Sequence, residues 1–329
     1  MNSFSRFYLG GSTLGWSANE RNSFHILDYF HENGGNCIDT SDFYSEWVPG
    51  NPIGISEEII GKWISKYGNR EKIFVASKVG LSKNRLGLSK NNIFGALHDS
   101  LRRLNTEYLD SYLSHLEVTD KDMPEFVLAM CQLRDQGKIK SIGLSHNSID
   151  AVIKVHNALI SESGKGLGLV QLNFNLVERD AENWSWRVNE LEGVEVLGAR
   201  PLASGFLSGK YRRNGMLRDF EVLIGIAGHF RSRGLVALSR GYRSSLPADA
   251  ASKYFNPSNL ELIVNLRQVS RDFGISVSEL AVAWCLSKDW ISKVVMSFRN
   301  TSQLRELREL DQIPRAAIEK INHLFAARN

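Results

Sequence analysis

Eight short apolar runs, separated by segments with apolar residues at helical spacing, constrain this chain more than any other feature. The runs fall at 7–15 (FYLGGSTLG), 36–40 (NCIDT), 73–79 (IFVASKV), 110–116 (DSYLSHL), 139–145, 169–175, 194–200 and 292–298. Near-continuous apolar runs read as strands buried on both faces, and their alternation with helices reads as βα units on a parallel sheet. Eight such units are the number a closed barrel requires. The expectation is a (β/α)8 barrel over 1–329 as a single domain, with a long loop after the seventh strand and helices at the C-terminal end.

Between the runs, 21–32, 56–67, 89–104 and 124–137 carry the helical pattern. Ser56 and Ser89 read as helix starts, and Gly137 and Gly164 as helix stops. The stretch 212–257 breaks the regularity with Arg, Gly and aromatic residues. A loop of that length on the active face of a barrel is expected to contact substrate or cofactor.

Composition bounds the function class. A net charge of +4 spread over 329 residues argues against nucleic acid or a membrane surface as the main partner. The three cysteines, Cys37, Cys131 and Cys285, are far apart among apolar neighbours, which suits buried thiols rather than disulfides or zinc. The eight histidines show no HExxH or other paired spacing, so no metal is expected. The N-terminal segment lacks the apolar core of a secretion signal, and no run approaches ~20 apolar residues, so a cytoplasmic location is expected.

Four polar residues sit where apolar runs end: Asp39, Tyr44, Lys78 and His115. All strand C-termini of a barrel open on one face, so an acid, a phenol, an amine and an imidazole can converge there. Such a set can deliver a proton. An ammonium beside a phenol stabilises the phenolate, a carboxylate keeps the ammonium charged, and an imidazole can donate to a carbonyl oxygen.

These residues, with DTSDFYSEW, ASKVG, SLRRLNTEYLDSYLSH, GKIKSIGLS, VQLNFN and PLASGFLSGKY in order, resemble the aldo-keto reductase superfamily along nearly the whole chain. DTSDFYSEW is similar to the family's DTAxxYG-type segment, and the resemblance makes Asp39, Tyr44, Lys78 and His115 the catalytic tetrad. It implies NADPH-dependent reduction of an aldehyde or ketone, a small-molecule carbonyl that is sugar-like or a natural-product intermediate. It further implies Ser145 and Gln171 on the nicotinamide carboxamide, and Leu202, Ser204, Gly205 and Lys210 around the pyrophosphate. Arg299 would meet the adenosine 2′-phosphate, which favours NADP(H) over NAD(H), with Gln303 and Glu306 on the adenosine. Trp47, beside Tyr44, is a candidate for the substrate pocket.

Some positions depart from the family pattern. Its Ser-Asn pair after the fifth strand is Ser145-His146, so one carboxamide bond is expected to be replaced or to move to Asn147. The nicotinamide-stacking aromatic is Ala199, the usual Pro-Gly after the eighth strand is Met296-Ser297, and an adenine-side Asn is Leu307. Asp42 reads as a solvated loop acid. Two other functions stay open: a nicotinamide-binding regulatory subunit with little turnover, and an aldolase using Lys78 as a Schiff base.

Overall fold

In the computed structural model eight parallel strands close into a barrel in chain order. They are β1 (Phe7–Gly10), β2 (Cys37–Asp39), β3 (Phe74–Val79), β4 (Leu109–Ser114), β5 (Ile139–Ser145), β6 (Leu169–Asn173), β7 (Glu195–Ala199) and β8 (Lys293–Met296). The barrel shuts where Tyr8 of β1 pairs with Val295 of β8. The structure describes residues 3–184, 187, 191–209, 254, 256–307 and 310–326. Lys210 and most of the expected loop over 212–257 lie outside the described residues.

Helices cover the barrel: α1 (Glu20–Glu32), α2 (Ile55–Tyr67), α3 (Lys90–Leu104), α4 (Met123–Asp135), α5 (Ile149–Ser163), α6 (Pro257–Phe273) and α7 (Val277–Leu286). The expected C-terminal helices follow β8 as α8 (Thr301–Glu306) and α9 (Arg315–Ala326). Gly164 ends α5 in the left-handed region at φ 70°, and Gly137 at φ 69° directly follows the C-cap of α4. Ser89 is the N-cap residue of α3, although its side chain makes no capping bond.

Ser56 does not start α2. The helix begins one residue earlier, behind Gly54 at φ 74°, and Ser56 Oγ instead donates to Gly11 O at 2.8 Å. Gly54 serves here because its conformation is left-handed and a Cβ would fall 2.1 Å from Arg103 Nε.

The core has two layers. Between barrel and helices, residues such as Phe30, Ile60, Trp63, Leu97, Phe126, Leu159, Leu266 and Trp284 form one continuous buried cluster. Inside the barrel a smaller cluster of Tyr8, Cys37, Ala76, Leu113, Leu169 and Leu197 fills the interior. Below it Tyr8 donates to Glu195 Oε2 at 2.8 Å, and Lys293 Nζ lies 3.0 Å from Glu195 Oε1. All three cysteines are buried free thiols. Among the described residues no helix is long and apolar enough to cross a membrane, and no group of three or more His, Cys, Asp or Glu side chains could hold a metal ion.

Candidate active site

The interior cluster fixes what stands above it, because side chains of a strand alternate faces with a period of two. One inward step from Cys37, Ala76, Leu113, Leu169 and Leu197 leads to Asp39, Lys78, His115, Gln171 and Ala199. Ser145, at the end of β5, is in register with Gln171. The apolar layer therefore seats a polar one at the C-terminal mouth of the barrel.

Lys78 is the hub of that layer. Its Nζ donates to Asp39 Oδ2 at 2.7 Å, to Thr40 O at 2.9 Å and to the Tyr44 hydroxyl at 3.0 Å. The Lys78 and Asp39 side chains are 0% and 1% exposed. The loop after β2 turns Tyr44 back over the strand ends, where its hydroxyl also reaches Asp39 Oδ2 at 3.4 Å. Its ring meets His115 edge-on at 5.7 Å between centroids. Asp39, Tyr44, Lys78 and His115 are thus brought together.

Burial by itself would depress the Lys78 ammonium, but Asp39 and Tyr44 together outweigh it and hold the group above its ordinary value. It stays charged, which disfavours the aldolase reading, since a Schiff base needs a neutral amine. Burial raises the Tyr44 phenol above its ordinary value, and Lys78 only partly pulls it back. The expected lowering by Lys78 is therefore present but outweighed, and Tyr44 carries its proton at neutral pH. Burial, then the neighbouring Lys78, His146 and Arg200, hold His115 well below its ordinary value, so its imidazole is neutral.

The residues expected on a nicotinamide are linked to this hub. Ser145 Oγ lies 3.4 Å from Gln171 Oε1, and Gln171 Nε2 donates to Asp39 Oδ1. Gln171 keeps a second amide hydrogen and Ser145 keeps oxygen lone pairs for a ligand. Leu202, Ser204 and Gly205 lie just beyond β7, in a turn where Ala203, Ser204 and Gly205 are consecutively left-handed at φ 46°, 55° and 91°. Arg299 is half-buried just before α8, and its backbone N–H donates to Gln303 Oε1 at 2.8 Å. Glu306, at the end of α8, is exposed.

The departures have definite fates. Asn147 is engaged by backbone groups: its Oδ1 accepts from Val118 N at 2.7 Å, and its Nδ2 donates to Ser145 O and Leu116 O. His146 instead stacks on His115 at 6.3 Å, with φ 59°. Burial and Arg200 push its imidazole down to about 4. Leu307 is buried in the core rather than facing outward, and Ser297 Oγ shares a 2.8 Å bond with Ser12 Oγ. Trp47 packs in an aromatic group with Trp16, Phe43 and Tyr44, at centroid distances of 5.5, 5.3 and 6.4 Å.

Two neighbours of the site differ from expectation or were passed over. Asp42 is no solvated acid: it is 1% exposed, and burial followed by the nearby Glu57 pushes its carboxyl up to about 8. Ser41 is missed by sequence reasoning. Its Oγ lies 3.0 Å from His115 Nδ1, and the available signal was that it replaces the Ala of the DTAxxYG-type segment.

Known proteins are similar to this chain along nearly its whole length. The Aldo/keto reductase family model matches residues 6–324. The protein named Protein tas of Escherichia coli strain K12 is 28% identical over 324 residues, spanning 90% of this chain and 86% of its own. A protein of Bacillus subtilis strain 168 named Uncharacterized oxidoreductase YrpG is 27% identical over 312 residues, 92% and 86% of the two chains. One of Arabidopsis thaliana, named Probable voltage-gated potassium channel subunit beta, is 25% identical over 308 residues, again 92% and 86%.

Proposed function

From a chain that belongs to the aldo/keto reductase family, and is thereby an oxidoreductase of carbonyl chemistry, we propose an NADPH-dependent reductase that converts an aldehyde or ketone to an alcohol. The observation that carries this reading is the buried triad in which one ammonium contacts both a carboxylate and a phenol.

NADPH, when bound, supplies the hydride. As the carbonyl π electrons move onto oxygen, Tyr44 gives that oxygen its proton, and Lys78 stabilises the phenolate left behind. Asp39 holds Lys78 charged and aimed. His115 donates a hydrogen bond that orients the carbonyl. Ser145 and Gln171 would hold the nicotinamide amide, and Leu202, Ser204, Gly205 and Lys210 the pyrophosphate. Arg299 would meet the 2′-phosphate, with Gln303 and Glu306 at the adenosine; a guanidinium fork suits a phosphate. Trp47 would border the substrate, a polar and sugar-like carbonyl or a natural-product intermediate. The same reading makes 1–329 one barrel domain working in the cytoplasm on a small molecule, without nucleic acid or membrane. Buried free thiols support a reducing compartment.

Titration with NADPH and NADH, followed by cofactor fluorescence, tests this reading. Selective NADPH binding, then NADPH oxidation with a panel of carbonyls, is the expected result. No binding of either nucleotide removes the proposal. Tight binding without turnover favours a regulatory subunit; the Arabidopsis relative is named a probable potassium channel subunit beta.

A further inference from the structure

Ser41 Oγ stands between two titratable groups. It is 3.0 Å from His115 Nδ1 and 3.2 Å from Asp42 Oδ1, and the backbone N–H of Phe43 donates to it at 3.1 Å. All three side chains are buried. With Nδ1 committed to Ser41, Nε2 is the nitrogen left for a substrate oxygen.

A hydroxyl has one proton and two lone pairs, and a neutral imidazole is protonated on one nitrogen. Since the Phe43 amide takes one lone pair, and an acid proton on the buried Asp42 Oδ2 would meet no acceptor among the described residues, two proton arrangements satisfy the row. In the first, Asp42 is a neutral acid that donates from Oδ1 to Ser41, Ser41 donates to a bare Nδ1, and the imidazole proton is on Nε2. In the second, Asp42 is ionised, Ser41 donates to it and accepts from Nδ1–H, and Nε2 is bare. Going from first to second passes the Asp42 proton to Ser41 and the Ser41 proton to Nδ1, and the Nε2 proton leaves. One proton is lost and nothing else changes.

The surroundings select between them. Asp42 Oδ2 is buried with no hydrogen-bond partner among the described residues, so ionisation would leave a charged oxygen bare. Glu57 of α2 and Glu46 of the same loop oppose a negative charge. Arg103 of α3 favours it, but its guanidinium is already committed to Glu57 at 2.7 Å. Tyr112 of β4 is a further buried neighbour. Glu58, Arg85, Asp99 and Arg102 share with Asp42 the lining of a cavity of about 320 Å³. On the other side Lys78, His146 and Arg200 keep His115 from becoming a cation.

We infer that Ser41 and Asp42 are positioning residues that set the tautomer of His115: neutral Asp42 presents Nε2–H to the substrate carbonyl, and ionised Asp42 withdraws it. The inference rests on the reading of His115 as the donor to that carbonyl. It makes reduction sensitive to pH through a group that touches neither substrate nor cofactor.

Protein labelled with ¹⁵N-histidine, with His115 assigned by the signals lost in His115→Asn, reports the tautomer directly through long-range ¹⁵N–¹H correlations between pH 6 and 10. The Nε2–H form is expected below about pH 8 and the Nδ1–H form above it. Asp42→Asn is expected to hold Nε2–H throughout, and Ser41→Ala to abolish the switch. In turnover, kcat should fall about fivefold between pH 8 and 9 in the parent protein and stay level in Asp42→Asn, with KM for the cofactor unchanged in both. A single His115 tautomer over the whole range, or a switch that survives Ser41→Ala, overturns the relay. The spectra need no turnover, so failure of the reductase reading would appear in the carbonyl assay and leave the tautomer result standing.

Discussion

Gln171 on β6 donates its side-chain amide to the carboxylate of Asp39 on β2, across the mouth of the barrel. One carboxylate thereby joins the residue expected on the nicotinamide to the ammonium that supports Tyr44. Removing either end has a graded cost. Gln171→Leu withdraws one hydrogen bond from a buried carboxylate, a loss of about 1–3 kcal/mol. Asp39→Asn strips Lys78 of its buried counter-charge and costs about 3–5 kcal/mol. Urea unfolding of the two variants should rank them in that order.

Tyr44→Phe keeps the ring against His115 and Trp47 and removes only the hydroxyl. Turnover is expected to fall by about 10²–10⁴, while NADPH binding by fluorescence stays within about threefold of the parent protein. Retained turnover would remove Tyr44 as the proton donor.

Arg299→Met tests the cofactor preference. A charge-assisted hydrogen bond to a phosphate contributes about 1.5–3 kcal/mol, so the Kd for NADPH should rise about 10–100-fold. The Kd for NADH should barely change. Equal weakening of both would place Arg299 away from the 2′-phosphate.

Asp42 links pH to stability with a definite sign. Its carboxyl is raised to about 8 in the fold from 3.8, so the folded chain binds the extra proton between those values. Stability attributable to this group is fully present below pH 3.8 and is lost as pH rises toward 8. Between pH 6 and 8 the parent protein should lose about 2 kcal/mol more than Asp42→Asn in urea unfolding. Parallel curves for the two proteins would show that Asp42 does not carry the proton.

His146→Asn restores the family residue at a position held at φ 59°, which Asn adopts readily. Both amide hydrogens of Asn147 go to backbone carbonyls, so the new side chain brings the N–H groups free to donate to a carboxamide. NADPH affinity should increase several-fold, with stability changed by less than about 1 kcal/mol.

The strands were legible because each carries its own apolar run, and the site because Asp39, Lys78 and His115 end three of those runs. What escaped depended on distant parts of the chain. Asp42 looks solvated in DTSDFYS, but Glu57 and Arg103, from α2 and α3, lie against it. The sequence places the start of α2 one residue late, at Ser56, whose hydroxyl bonds to Gly11, a residue 45 positions earlier. Leu307 reads in the sequence as a lost adenine contact, and its place in the core follows only from how α8 docks. Local pattern reports strand and helix, while burial of a single polar side chain is decided by elements far away in sequence.

Closure of the barrel through β1 and β8 also governs how the chain is born. Tyr8 leaves the ribosome long before its partner Val295, which follows 287 residues later (295 − 8). At ~5–20 residues per second that interval is on the order of tens of seconds. Throughout it one edge of β1 has backbone N–H and C=O groups with no strand to receive them, the kind of edge along which nascent chains aggregate. Closure of the barrel, and with it the end of that exposed stage, thus waits on β8.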